Sequence, residues 1–189
     1  MPRRESSDRR RPATRTPRPR ILVVCGAAKT EDQYLRGLRQ SVDDRAVDIQ
    51  LKSRPRAPAQ VVEHASRLNA SDDFDEVWCV IDVDDFDIPS AVTAARRVGI
   101  ELAVSNPCFE LWLLLHHEDR RAYLQDYRAV LVRLRKYVPG YDKTELSFAD
   151  FAGGVQAAID RARALEPTGT DHQINPSTSM WRLAGKIIG

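Results

Sequence analysis

The residues best suited to chemistry form the acidic run Ile81-Asp82-Val83-Asp84-Asp85. Residues two apart in an extended segment point to the same side, so Asp82 and Asp84 can aim both carboxylates at one point. Such a pair suits a hard cation bound through oxygen, Mg²⁺ first among them. Without a cation, two like charges this close raise one pKa and destabilise the pair. The plainer reading of the same residues is an acidic loop, in which Asp84, Asp85 and Asp87 face water and cap the helix that Pro89 opens. Glu110 is a second unusual acid. It interrupts a strongly apolar stretch, where a carboxylate is costly unless it is paired, capping a helix or liganding.

Other combinations fail on spacing. Gly26-Ala-Ala-Lys-Thr30 lacks the glycine that a phosphate loop places directly before its lysine, since Ala28 stands there. His116-His117 does not have the spacing of a zinc helix, and His64 and His172 stand alone, so the histidines read as surface or packing residues. No serine or cysteine has the context of a nucleophile.

The elements that must position these acids are legible. Arg20 to Cys25 is a short, β-branched apolar run bounded by Pro19 and Gly26, which is a buried strand. Thr30 caps a helix reaching about Val42, with Tyr34, Leu35, Leu38 and Val42 on one face. Val47–Leu51 alternates as a second strand, and Ala59–Leu68 resumes helical spacing. Val77–Ile81 is the third strand, Pro89 to Gly99 a helix, and Ile100–Val104 the fourth strand. Strands alternating with helices predict an α/β domain with a mainly parallel, four-stranded sheet. Asn106-Pro107 then reads as an N-cap with proline at the first helical position. Further helices are expected around Tyr127–Tyr137 and Phe148–Leu165, and Asn175-Pro176 opens a terminal helix. The chain divides into an arm (residues 1–19), an α/β core (20–105) and a helical extension packed on it (106–189). In open α/β sheets, ligands sit outside the carboxyl ends of the strands. Three unusual segments lie at such ends: Gly26–Glu31, Asp82–Asp85 and Ser105–Glu110.

The formal net charge of +2 over 189 residues conceals an asymmetry. The first 20 residues carry eight arginines, among them Arg3, Arg4, Arg9, Arg10 and Arg11, against Glu5 and Asp8. Of the 29 basic and 27 acidic side chains, 21 and 25 remain for the rest, a net −4. The proline-rich, nearly apolar-free arm cannot bury enough surface to offset its chain entropy and is expected to be disordered. On charge it is either a solubilising tail or a nucleic-acid-binding arm. It has no apolar signal core, and the chain has no run long enough to span a membrane. Three cysteines without paired spacing fit a reducing, cytoplasmic setting.

Several strings together resemble one bacterial family, RloB. They are the Arg-rich start, Ile-Leu-Val-Val-Cys25 with Lys29-Thr30-Glu31 and Tyr34-Leu-Arg-Gly-Leu38, and Glu76-Val-Trp-Cys-Val-Ile-Asp-Val-Asp-Asp-Phe86. Ser105-Asn-Pro-Cys-Phe-Glu-Leu-Trp-Leu-Leu-Leu-His116 and Asn175-Pro-Ser-Thr178 complete the match, which spans about residues 18–186. The resemblance implies a Toprim-type core and a role in defence against phage, often beside an ATPase partner subunit. It implies that Asp82 and Asp84, with Asp85 adjacent, hold Mg²⁺ or Mn²⁺, which stabilises charge on phosphodiester oxygens. Glu31 and Glu110 are then additional candidate catalytic carboxylates, and Lys29 a phosphate contact. The family pattern after the first strand is Cys-Glu-Gly, whereas this chain reads Cys25-Gly26-Ala27-Ala28. The position of the Toprim general acid/base is thus Gly26. Removing such a group costs ~10²–10⁴ in rate. Two readings stay open: a metal-dependent nuclease acting on DNA or RNA, and a catalytically degenerate nucleic-acid-binding or regulatory subunit.

Overall fold

The computed structural model describes residues 18–26, 29–42, 48–53, 57–71, 73–83 and 88–189. Arg3, Arg4, Arg9, Arg10, Arg11, Asp84, Asp85 and Asp87 lie outside the described residues. Strand β1 (Arg20–Cys25) lies between β2 (Asp48–Ser53) and β3 (Glu76–Asp82), and β4 (Glu101–Asn106) follows on the far side of β3. All four run parallel. Helices α1 (Thr30–Gln40), α2 (Pro58–Ser71) and α3 (Ile88–Val98) connect them in turn.

The two-residue period of the strands sorts their side chains onto two faces. Ile21, Val23, Cys25, Trp78 and Val80 pack on one face with α1, and Leu22, Val24, Val77, Cys79 and Ile81 pack on the other with α2 and α3. Covered on both faces, β1 and β3 have no solvated side, so they read as unbroken apolar runs rather than alternating ones. Each large side chain buried in this way contributes ~1.5–3 kcal/mol.

The rest of the chain thickens the α1 face. Helix α4 (Glu110–Leu115) has all six residues buried, and α5 (Tyr127–Leu134), α6 (Val155–Leu165) and α7 (Met180–Ile188) close around it. The α7 helix is tied to the sheet by Lys186–Glu76 and Arg182–Glu101 ion pairs, each 2.7 Å.

Five local expectations are corrected. The sheet has a fifth strand among the described residues, β5 (Ser177–Thr178), antiparallel to β4. Two short polar residues carry no readable period, and only the free edge of β4 gives them a partner. The terminal helix therefore starts at Met180 and not at the Asn175-Pro176 dipeptide. Asn106 is the last residue of β4 rather than an N-cap, and α4 begins at Glu110. Both Asn106-Pro107 and Asn175-Pro176 are cis, and Asn175 Nδ2 donates to Asn106 Oδ1 at 3.2 Å. Thr30 does not cap α1: Lys29 holds that position without a side-chain bond, and the Thr30 hydroxyl donates to the Lys143 carbonyl at 2.8 Å. Finally, Phe148–Leu165 is not one helix. Two 3₁₀ turns, Phe148–Asp150 and Ala152–Gly154, precede α6. A Cβ at Gly154 would stand 2.5 Å from the His116 carbonyl oxygen, so this close approach to the end of α4 needs glycine.

Candidate functional site

Parallel pairing brings three strand ends together. Asp82 ends the central strand, opposite Ser105 of β4. Beyond the ladder, Gly26 N–H donates to Val80 O at 2.8 Å and Val83 N–H to Ser105 O at 2.9 Å, so β3 is held on both flanks up to its last residue. Alternation puts Asp82 on the same face as Trp78 and Val80, the face that α1 and α4 cover. Asp82 is half-buried, and its Oδ1 is shielded from water. The partners expected for it in sequence, Asp84 and Asp85, lie outside the described residues.

Glu31 stands in the first turn of α1 and is only 2% exposed. The helix starts at Thr30, without which Glu31 would be too far along the chain to approach the crevice. The Cys25 thiol at the end of β1 is pushed well up, by burial first and then by Glu31 and Asp32. That locates Glu31 at the β1 end of the crevice. The neighbouring Asp32 is committed elsewhere, to Arg36 at 2.6 and 3.1 Å and to the Ser53 hydroxyl at 3.2 Å.

Glu110 stands on the other side, in the first turn of α4, 6% exposed. Among the described residues it has no salt-bridge partner. Its Oε1 accepts a hydrogen bond from the Tyr141 hydroxyl at 2.9 Å. Burial, then the Glu110 charge, drives the Tyr141 phenol upward, so Tyr141 remains a donor. Cys108 lies within the field of both acids: burial, Glu110 and Asp82, in that order, raise its thiol far above the ordinary range. Asp82, Cys108 and Glu110 are therefore one electrostatic neighbourhood. The protonated thiol is a poor ligand, which leaves oxygen as the donor chemistry.

Lys29 is exposed at the start of α1. The loop Tyr141–Leu146 is fastened beside it by the Thr30–Lys143 bond and by two bonds of the Gln33 side chain, to Thr144 O and from Leu146 N–H. Asp142 is held low in pKa chiefly by the Thr144 N–H and hydroxyl, with Lys29 and Arg135 adding. Lys29 thus shares its surroundings with a carboxylate and a second cation.

Two concavities flank Val83, the residue after Asp82. One, of about 670 Å³, is lined by Val83, Pro107, Tyr123, Gln125, Tyr127 and Arg128 among others. The second, of about 620 Å³, runs along Ile88, Pro89, Val92 and His172. Val83, Asn106 and Gln173 form the ridge shared by both. Burial and then Glu110 raise the Tyr127 phenol, which connects the first groove to the acids.

Sequence reasoning missed Tyr141, Cys108 and Tyr127. Tyr141 follows Pro139-Gly140 in a loop without period, and nothing local signals that it reaches Glu110. The paired Asn-Pro dipeptides were a usable signal, since their asparagines meet. The histidine reading holds for His116, which is buried and packs edge-on against Tyr34, Trp112 and Phe151. Among the described residues, no group of three or more His, Cys, Asp or Glu is placed to hold a metal ion. None of their helices is long and apolar enough to cross a membrane.

The molecule is thus a mainly parallel α/β protein with carboxylates at or just after the carboxyl ends of its strands, the place where open sheets of this kind take ligands. A sequence model of the RloB-like protein family matches residues 21–187, and the chain belongs to that family. Neither the curated proteins nor the solved structures give a match.

Proposed function

We propose that this protein is a Toprim-type, Mg²⁺-dependent nuclease that hydrolyses phosphodiester bonds of DNA or RNA in a bacterial anti-phage defence system. It would work in the cytoplasm, with an ATPase partner subunit. The observation that carries the reading is that Asp82 and Glu110 act on the same buried Cys108 thiol at the carboxyl end of the sheet, with Glu31 buried in the first turn of the helix that follows β1. Placing like charges near one another in a buried setting is unfavourable unless a ligand compensates them.

The donors fit a hard cation in kind: carboxylate oxygen at Asp82 beside a thiol that stays protonated. The described residues do not complete a ligand set, so Asp84 and Asp85 would have to join Asp82. Bound there, Mg²⁺ or Mn²⁺ would supply charge stabilisation at the phosphodiester oxygens. The chain's own part is to orient and to move protons. Asp82 ends a strand that is paired on both flanks. Glu110 is fixed by Tyr141, and Glu31 stands at the β1 end, where a water or hydroxyl proton could be taken up. Lys29 would meet a phosphate, and the arginines Arg3, Arg4, Arg9, Arg10 and Arg11 would hold the backbone of the nucleic acid.

A second reading is a catalytically degenerate nucleic-acid-binding or regulatory subunit. The observation favouring it is Gly26, which directly follows β1 and brings no carboxylate to the site. A Cβ there would lie 3.2 Å from Val80 O, a tight fit that a small shift of the strand end must relieve.

Cleavage of end-labelled DNA and RNA with Mg²⁺ or Mn²⁺ separates the readings. The nuclease reading expects wild-type cleavage that Asp82→Ala abolishes while binding persists. A silent wild type with a cutting Gly26→Glu variant would establish the degenerate site instead. Equal cleavage by wild type and Asp82→Ala would remove Asp82 from the machinery.

A further inference from the structure

Tyr123 is 67% exposed, and its side chain makes no ring contact or hydrogen bond with another described residue. A large aromatic left open to water is unusual unless something covers it. The backbone beneath it is nevertheless fixed. Leu124 is buried, and the Asn175 amide grips it from both sides: Leu124 N–H donates to Asn175 Oδ1 at 3.0 Å, and Asn175 Nδ2 donates to Leu124 O at 2.8 Å. Arg120 Nη2 adds a bond to Tyr123 O at 3.3 Å. Tyr123 and Gln125, on either side of the pinned Leu124, are both exposed and both line the 670 Å³ groove beside Val83. Ile174, another of the exposed large apolar residues, neighbours Gln173 and Asn175 at the same rim.

The groove has the chemistry of a nucleobase site. Its volume falls within the ~300–1,000 Å³ of small-ligand sites. It offers an aromatic face at Tyr123, amide edges at Gln125 and Gln173, and a cation at Arg128. The one carboxylate on its lining, Asp126, is engaged as the N-cap of α5, accepting from Ala129 N–H at 2.9 Å. Lys143 Nζ stands 5.5 Å from the ring centroid of Tyr127, which lines the groove. A base inside a duplex is stacked on both faces and cannot enter, whereas an unpaired base can.

We infer that this groove seats an unpaired nucleobase on Tyr123, making the preferred ligand a single-stranded nucleic acid whose backbone passes Asp82. The inference rests on the nucleic-acid reading above and specifies its substrate class. A side chain with few rotamers, mounted on a pinned backbone, loses little freedom on binding, which is what a stacking platform requires.

The test uses the full chain in EDTA at about 150 mM salt, where long-range attraction to phosphate is screened. Fluorescence anisotropy is read with labelled 12-mers: oligo-dT, oligo-U, an oligo-dT with abasic central positions, and a duplex. Tyr123→Ala is expected to weaken the single strands about 5- to 100-fold, with Tyr123→Phe close to wild type and duplex affinity unmoved. Abasic positions should mimic the Ala variant. An Ala variant binding single strands like wild type would overturn the inference. So would an equal loss on duplex and single strand, or wild type that binds no single strand. Because no cleavage is read, a binding but inactive wild type sinks the hydrolytic reading alone. A cleaving enzyme indifferent to Tyr123 sinks this one alone.

Discussion

Tyr141→Phe removes one oxygen atom from the centre of the candidate site and leaves the ring in place. Both partners are nearly sealed from water, Tyr141 at 5% and Glu110 at 6% exposure, and they meet at 2.9 Å. A hydrogen bond to a charged group contributes ~1.5–3 kcal/mol, and a buried acceptor stripped of its donor loses that much. For a chain of this length each kcal/mol moves Tm by ~2–4 °C, so the variant should melt roughly 3–12 °C lower. Urea unfolding followed by tryptophan fluorescence, with Trp78 and Trp112 fully buried, reports the same loss as a fall in midpoint at constant slope. Glu110→Met closes a double-mutant cycle. Once the carboxylate is gone, Phe at position 141 should cost little, giving a coupling of ~0.5–3 kcal/mol. If Tyr141→Phe changes stability by less than about 0.3 kcal/mol, or if the two changes simply add, then Tyr141 does not hold Glu110 and the site is looser than described.

Burial lowers the His116 pKa to about 4 from its ordinary 6.5. The unfolded chain binds the proton first, so stability is complete above about pH 6.5 and falls as pH drops toward 4, by up to ~3 kcal/mol. Urea midpoints from pH 7.5 to 4.5 should therefore slope more steeply for wild type than for His116→Gln, and parallel profiles would refute this. Gly37 packs so closely on Phe148 that an added Cβ would overlap its side chain. Gly37→Ala should cost ~1–3 kcal/mol, with most of that penalty absent when Phe148→Ala is the background. A full penalty in both backgrounds would place the strain elsewhere.

Much of this architecture could be read in advance because its signals are local. The apolar runs at Ile21–Cys25 and Val77–Ile81 and the stripe of Tyr34, Leu35 and Leu38 each declare their element through neighbours a few residues away. Their order then implies the parallel sheet. Asp82 and Glu110 were conspicuous for the same reason, as charges at the edge of apolar segments. Asn106, by contrast, misled: an Asn-Pro dipeptide suits a helix start equally well, and only pairing with Ser177 makes it a strand end.

What the sequence determined by itself is thus the alternation of strands and helices, the acid at the end of the third strand, and membership in the RloB-like family. What the tertiary structure decided is which distant groups meet. Tyr141 reaches Glu110 across 31 residues, Asn175 grips Leu124 across 51, and Ser179 completes the edge of β4 across 75. Such contacts depend on closing long loops, and no local propensity or period encodes where a closed loop will land. Glu110 is for that reason visible in the sequence as a costly charge, and only in the fold as a tyrosine-held carboxylate.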